Sequence, residues 1–125
     1  MYKEDLQNLI KFMDYKISKF IEPVSDDNNV YETYIKGEQK ACLDVKNILS
    51  RLLNTKFQIT PMSKDDIIDL IFIFESKKRK CRIKSLNTAN GLQNIILEGQ
   101  THLYEEVKGI LEEFLLEYEE SSTHH

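Results

Sequence analysis

Six bases fall within eight residues at Lys77, Lys78, Arg79, Lys80, Arg82 and Lys84. A run of this kind binds polyanions or acidic surfaces when it faces solvent. It is only a neutralised helix end when acids fold against it. The whole chain carries a net charge of −4, which leaves −10 on the rest once those six bases are set aside. Much of the acid lies near the end, where Glu105, Glu106, Glu112, Glu113, Glu117, Glu119 and Glu120 stand against a single Lys108. An acidic remainder, and few aromatic residues beside the block, argue against nucleic acid, whose single-strand binders stack bases on aromatic rings. Another protein is the expected partner, with nucleic acid held at residues 77–84 as the alternative. Tyr31 and Tyr34 add a second candidate contact, because tyrosine is favoured where proteins meet. The expected partner-binding set is therefore Lys77, Lys78, Arg79, Lys80, Arg82, Lys84, Tyr31 and Tyr34.

Other chemistries find few residues to use. Cys42 and Cys81 are isolated thiols without CxxC spacing, which reads as reduced and partly buried. His102 is the only histidine inside the expected fold, since His124 and His125 resemble the start of a purification tag. Glu98 and His102 stand four apart, but a di-iron bundle needs a Glu-x-x-His pair on each of two helices. Asp26, Asp27, Asn28 and Asn29 suggest a calcium loop until Tyr31 and Glu32 fall where a ligand and the required glycine belong. No phosphate-cradling glycine loop and no GxSxG elbow occurs. The sequence thus predicts no catalysis, no cofactor and no metal.

The elements that would carry these residues follow from periodicity. Leu6, Leu9, Ile10, Met13, Ile17, Phe20 and Ile21 recur at steps of three and four and predict a helix over residues 2–21, stopped by Pro23. Asn29 and Glu32 resemble a capping pair for a second helix opening near Val30 and running to about Leu53. After a linker over 54–62, Ser63 and Asp66 form another capping signature, followed by Ile67, Leu70, Ile71 and Phe74. A loop around Asn87 to Gly91 precedes a last helix carrying Leu103, Val107, Ile110, Leu111, Phe114, Leu115 and Tyr118. Residues 121–125 read as a disordered tail or tag remnant.

Two of these helix pairs look like copies. Residues 3–10 match residues 64–71 in charge and apolar pattern, 61 residues apart. Gly37, Val45, Lys46, Ile48, Leu49 and Leu53 match Gly99, Val107, Lys108, Ile110, Leu111 and Leu115, 62 apart. Gly37 and Gly99 lie within predicted helices, where glycine costs about 1 kcal/mol against alanine, so close helix approach is expected there. The expected fold is an all-α antiparallel four-helix bundle from two tandem αα-hairpins, in one domain over 1–120 with pseudo-repeats 1–54 and 62–120. The competing α+β reading keeps the N-terminal helical hairpin and the C-terminal helix. It makes a small sheet of residues 56–98, using Leu70 to Phe74, the alternation at Lys80 to Lys84 and a turn at Asn90-Gly91.

The longest uncharged apolar run, Leu70 to Phe74, is too short to cross a membrane, and the start lacks signal-peptide character, which predicts a cytoplasmic protein with no membrane partner. The excess of Lys, Ile and Asn is what an AT-rich genome produces. Size, acidity and composition together suggest a small regulator or inhibitor, phage- or plasmid-encoded, of the anti-defence or immunity type. A homodimer is compatible with the opposed basic and acidic segments.

Overall fold

The computed structural model describes residues 1–19, 29–55 and 62–123, with side chains for 1–19, 30–55 and 62–119. The described residues form four helices: α1 (Lys3–Ser18), α2 (Asn29–Thr55), α3 (Lys64–Leu86) and α4 (Gly91–Thr123). Local chemistry starts three of them. The Asp5 carboxylate accepts from the Tyr2 backbone N–H at 2.8 Å and holds the first turn of α1. Ser63 Oγ accepts from the Asp66 N–H while Asp66 Oδ2 accepts from the Ser63 N–H, a reciprocal cap on α3. Asn90 Oδ1 accepts from the N–H groups of Leu92 and Gln93 and opens α4.

The chain is thus an all-α four-helix bundle, and the sheet reading of residues 56–98 is wrong where it can be compared. Residues 67–86 and 91–97 are helical. Ile67, Leu70, Phe74, Lys78 and Cys81 form the buried stripe of α3, while the β-formers Phe72 and Ile73 are exposed, so the helical period won. Asn90-Gly91 is a helix start and not a hairpin turn. The Asn29–Glu32 cap falls differently, because α2 already includes Asn29. The last helix also outruns its expected end: α4 continues through Ser121 and Ser122 to Thr123, no glycine or proline being present to stop it. The expected end of the first helix at Ile21, Pro23, the Ser25–Asn28 loop and His124–His125 lie outside the described residues.

The helices do not form a square. α2 packs on α4, α1 packs on α2, and α3 packs on α4, whereas no Cα of α2 comes within 8 Å of one in α3, nor of α1 to α4 or α3. Contacts between α2 and α4 join Tyr34 with Gly99, Gly37 with Ile96, and Asp44 with Tyr104, so the two helices run in the same direction. They come together over bare backbone: a Cβ on Gly37 would meet the Ile96 carbonyl, and one on Gly99 the Tyr34 carbonyl. Beyond this crossing Ala41, Val45, Leu49, Leu103, Val107 and Leu111 make the central apolar layer, sealed by Leu6, Met13, Ile67 and Phe74 from the flanking helices.

Contacts recur when shifted from the first hairpin to the second. Gly37 against Ile96 becomes Gly99 against Tyr34. The ion pair Asp14–Lys46 at 2.6 Å becomes Glu75–Lys108 at 2.8 Å. Lys16–Glu106, which reaches from the first hairpin to the second, becomes Lys77–Asp44, which reaches back, each at 2.9 Å. Met1 and Met62 occupy matching places and are hydrogen-bonded to each other. The pattern is that of a local two-fold axis lying between α2 and α4 and parallel to them.

Candidate functional site

The basic block occupies the second half of α3, and helix geometry divides it. Lys77 faces α2 and pairs with Asp44, itself held by the Tyr104 hydroxyl at 2.7 Å. Lys78 is buried; its ammonium donates to Glu105 at 2.6 Å and lies 3.1 Å from Glu75. Arg79 is exposed and bonds Glu75 one turn back. Three of the six bases are therefore absorbed by the fold. Lys80, Arg82 and Lys84 are exposed and have no ion-pair partner among the described residues.

Glu75 is the hub of the absorbed half. Hydrogen bonds from Lys108 and Lys78 hold its carboxyl down at about 2, and their charges add to this against the opposing effect of burial. Glu105 is lowered in the same way, by the Lys78 hydrogen bond first. Because the folded pKa is depressed, the stabilisation is complete above the ordinary carboxylate pKa near 4.5 and is lost as pH falls from there toward about 2. We expect Glu75→Gln to cost on the order of 2 kcal/mol at neutral pH. It should cost little at pH near 2, where the carboxyl is protonated in the unfolded chain and about half protonated in the folded one. Urea midpoints of both proteins measured across that pH range check this; an equal deficit at both ends would contradict it.

The free bases are not alone. Lys77, Lys80 and Lys84 follow one another at helical steps along the side of α3 turned to α2, and Lys36 and Lys40 lie one turn apart on the facing side of α2. Lys36 and Lys40 are exposed and also lack ion-pair partners among the described residues. The two rows converge: the buried Cys81 thiol feels the charges of Lys84, Lys40, Lys77 and Asp44 together. Leu43 on α2 and Ile73 on α3, both exposed, flank the lysines. The outer face of α3 adds Phe72, Ile83 and Leu86, which is 86% exposed and so available to a partner.

The tyrosines stand apart from this cluster. Tyr34 lies at the crossing of α2 and α4, its hydroxyl 2.6 Å from His102 Nδ1 and its ring edge-on to the imidazole. Burial, with the charges of Glu38 and Glu98, raises its pKa and keeps it neutral. Tyr31, three residues earlier near the start of α2, is half exposed. On the Tyr34 side Lys16 reaches both Glu38 and Glu106; burial opposes its charge, but the two glutamates outweigh that and raise its pKa.

Reactive groups are enclosed. Burial pushes the Cys42 thiol up to about 12 and raises Cys81 as well, so neither is a thiolate at neutral pH. Glu98 lies 4.0 Å from His102, and among the described residues no group of three or more His, Cys, Asp or Glu side chains could hold a metal. No helix of the described residues is long and apolar enough to cross a membrane. Comparison with protein-family models, with curated proteins and with solved structures finds no match.

The sequence marked the basic block but not its division, nor the contribution of α2. Lys36, Lys40 and Leu43 recur at four and three residues, a pattern that signals an exposed basic face on a helix otherwise read only for its apolar stripe.

Proposed function

We propose that this chain is a small, non-enzymatic, cytoplasmic protein-binding module that regulates or inhibits a partner protein. The carrying observation is the surface made by Lys80, Arg82 and Lys84: bases without intramolecular acids among the described residues, interleaved with exposed Phe72, Ile83 and Leu86. Bases mixed with exposed apolar side chains suit a protein surface, where apolar anchors set affinity and charges set encounter and specificity. The same reading takes the fold to be a duplicated αα-hairpin, whose recurring internal contacts support it. In that view the two copies share part of the block and differ in the rest: the positions matching Lys77 to Lys80 in the first copy are Lys16, Ile17, Ser18 and Lys19.

The alternative is a nucleic-acid-associated protein using residues 77–84, and titration decides between the two. At about 0.15 M salt the purified protein should show no micromolar binding to duplex or single-stranded DNA or RNA. Weak binding at low salt should fall away steeply, because only phosphate contacts support it. Micromolar or tighter binding, abolished by Lys80→Gln, Arg82→Gln and Lys84→Gln together, would replace the protein-binding reading. Lys78 is unsuitable for such a test, because it is buried and its loss acts on the fold.

A further inference from the structure

We propose that the channel between α2 and α3 is the docking site for an acidic amphipathic helix of a partner protein, held by the two lysine rows that line it. This rests on the protein-binding reading above and names both the site and the chemistry of its occupant.

By channel we mean the line along which α2 and α3 face each other. α3 leans on α4 and α2 leans on α4, but α2 and α3 stay more than 8 Å apart, Cα to Cα, and the Lys77–Asp44 pair bridges the gap. A helix laid along the line where two helices face each other meets side chains of both on its flanks. Here both helices are cationic: Lys36 and Lys40 on α2, Lys80 and Lys84 on α3, all exposed and without ion pairs among the described residues. Leu43 on α2 and Ile73 on α3 are exposed apolar residues on the same two helices. The internal acid of the channel is Asp44, already engaged by Lys77 and Tyr104; Asp69 stands exposed toward the start of α3. The remaining charge calls for an acidic occupant.

The other half of the pseudo-symmetric bundle carries different charges at the places on α4 that match Lys36 and Lys40. The equivalent channel lies between α1 and α4, and Lys16–Glu106 bridges it. There, the positions matching Lys36 and Lys40 are Glu98 and His102, and Lys16 is shared between two glutamates. The α1 side is further tied down by the Gln39 side chain donating to the Ile17 carbonyl. At those places one channel carries a glutamate and a histidine and the other two lysines, while on the outer helices Lys19 matches Lys80. A helix carrying glutamates on both flanks of a leucine face matches the channel with the two lysines. Single-stranded nucleic acid is the poorer fit, because the aromatic ring nearest the lysine rows, Tyr104, is buried and not open to base stacking.

The test uses the full chain and a synthetic 20-residue helical peptide with leucines on one face and glutamates on both flanks (about 30 Å long), followed by calorimetry. A scrambled peptide of the same composition is the control. We expect micromolar binding, at least about tenfold tighter than the scrambled peptide. Lys36→Gln with Lys40→Gln should weaken it at least about tenfold, whereas Lys3→Gln with Lys11→Gln on exposed α1 should not. Equal binding of the scrambled peptide overturns the proposal. So does binding that survives the α2 changes; if it is still lost on Lys80→Gln, Arg82→Gln and Lys84→Gln, the basic face of α3 stands and only the channel falls. Loss on neither set overturns both readings. Tighter binding of a DNA duplex through the same lysines assigns the channel to nucleic acid instead. A dimer seen by light scattering and lost on the α2 changes assigns it to a second copy of the chain.

Discussion

Replacing Gly99 with alanine should destabilise the fold by about 2–4 kcal/mol, and Gly37→Ala should do the same. In an ordinary helix the change is worth about 1 kcal/mol in the opposite direction. The sign reverses because the new methyl on Gly99 would meet the Tyr34 carbonyl and lie 3.0 Å from the Glu38 nitrogen, while that on Gly37 would meet the Ile96 carbonyl. Backbone cannot swing aside as a side chain can. α2 and α4 would have to separate, opening space around Ala41, Val45, Leu103 and Val107, which are fully buried. Gly109 is the internal control: it lies on the exposed side of α4, and a methyl added there would find nothing within 4 Å. Gly109→Ala should therefore raise stability by up to about 1 kcal/mol. The double variant of Gly37 and Gly99 should lose less than the sum of the two, since helices already forced apart meet the second methyl more easily. Urea unfolding of the parent and these variants reads all of this, and a Gly99→Ala protein as stable as the parent would rule out the close crossing.

That crossing was legible in the sequence. A glycine inside an amphipathic helix needs compensation, and two of them at matching places pointed to close approach. The four helices were equally legible, because Leu6, Leu9 and Met13 in α1 and Ile67, Leu70 and Phe74 in α3 hold the helical period, and Ser63 with Asp66 marks a start. Phe72 and Ile73 misled toward a strand because β-forming type says nothing about which side of a helix a residue occupies.

The candidate site was legible only in part. Lys77 and Lys84 sit in one run of sequence, yet 3.6 residues per turn sends Lys78 into the core and Lys80 outward. Which bases meet acids depends on the neighbours Asp44, Glu105 and Lys108, and those are set by packing. Lys36 and Lys40 join the site across a tertiary gap, so no local pattern could link them to α3. Tyr34, a candidate contact by residue type, has its hydroxyl engaged with His102 at the helix crossing, a pairing across 68 residues that no local pattern marks.

Service of the lysine-lined channel to an acidic protein is the central claim, and one measurement meets it directly. It begins with the complex formed by the full chain in the cells that naturally carry it, weighed intact by native mass spectrometry. The affinity of its partner is then compared for the parent and for Lys36→Gln, Lys40→Gln, Lys80→Gln and Lys84→Gln combined. At about 0.7 kcal/mol per lost charge, four changes should weaken binding about 100-fold. The expected result is a stoichiometric protein partner with an acidic helix and that loss of affinity in the quadruple variant. A complex whose extra mass is nucleic acid, or a protein partner bound equally by both chains, would contradict the claim.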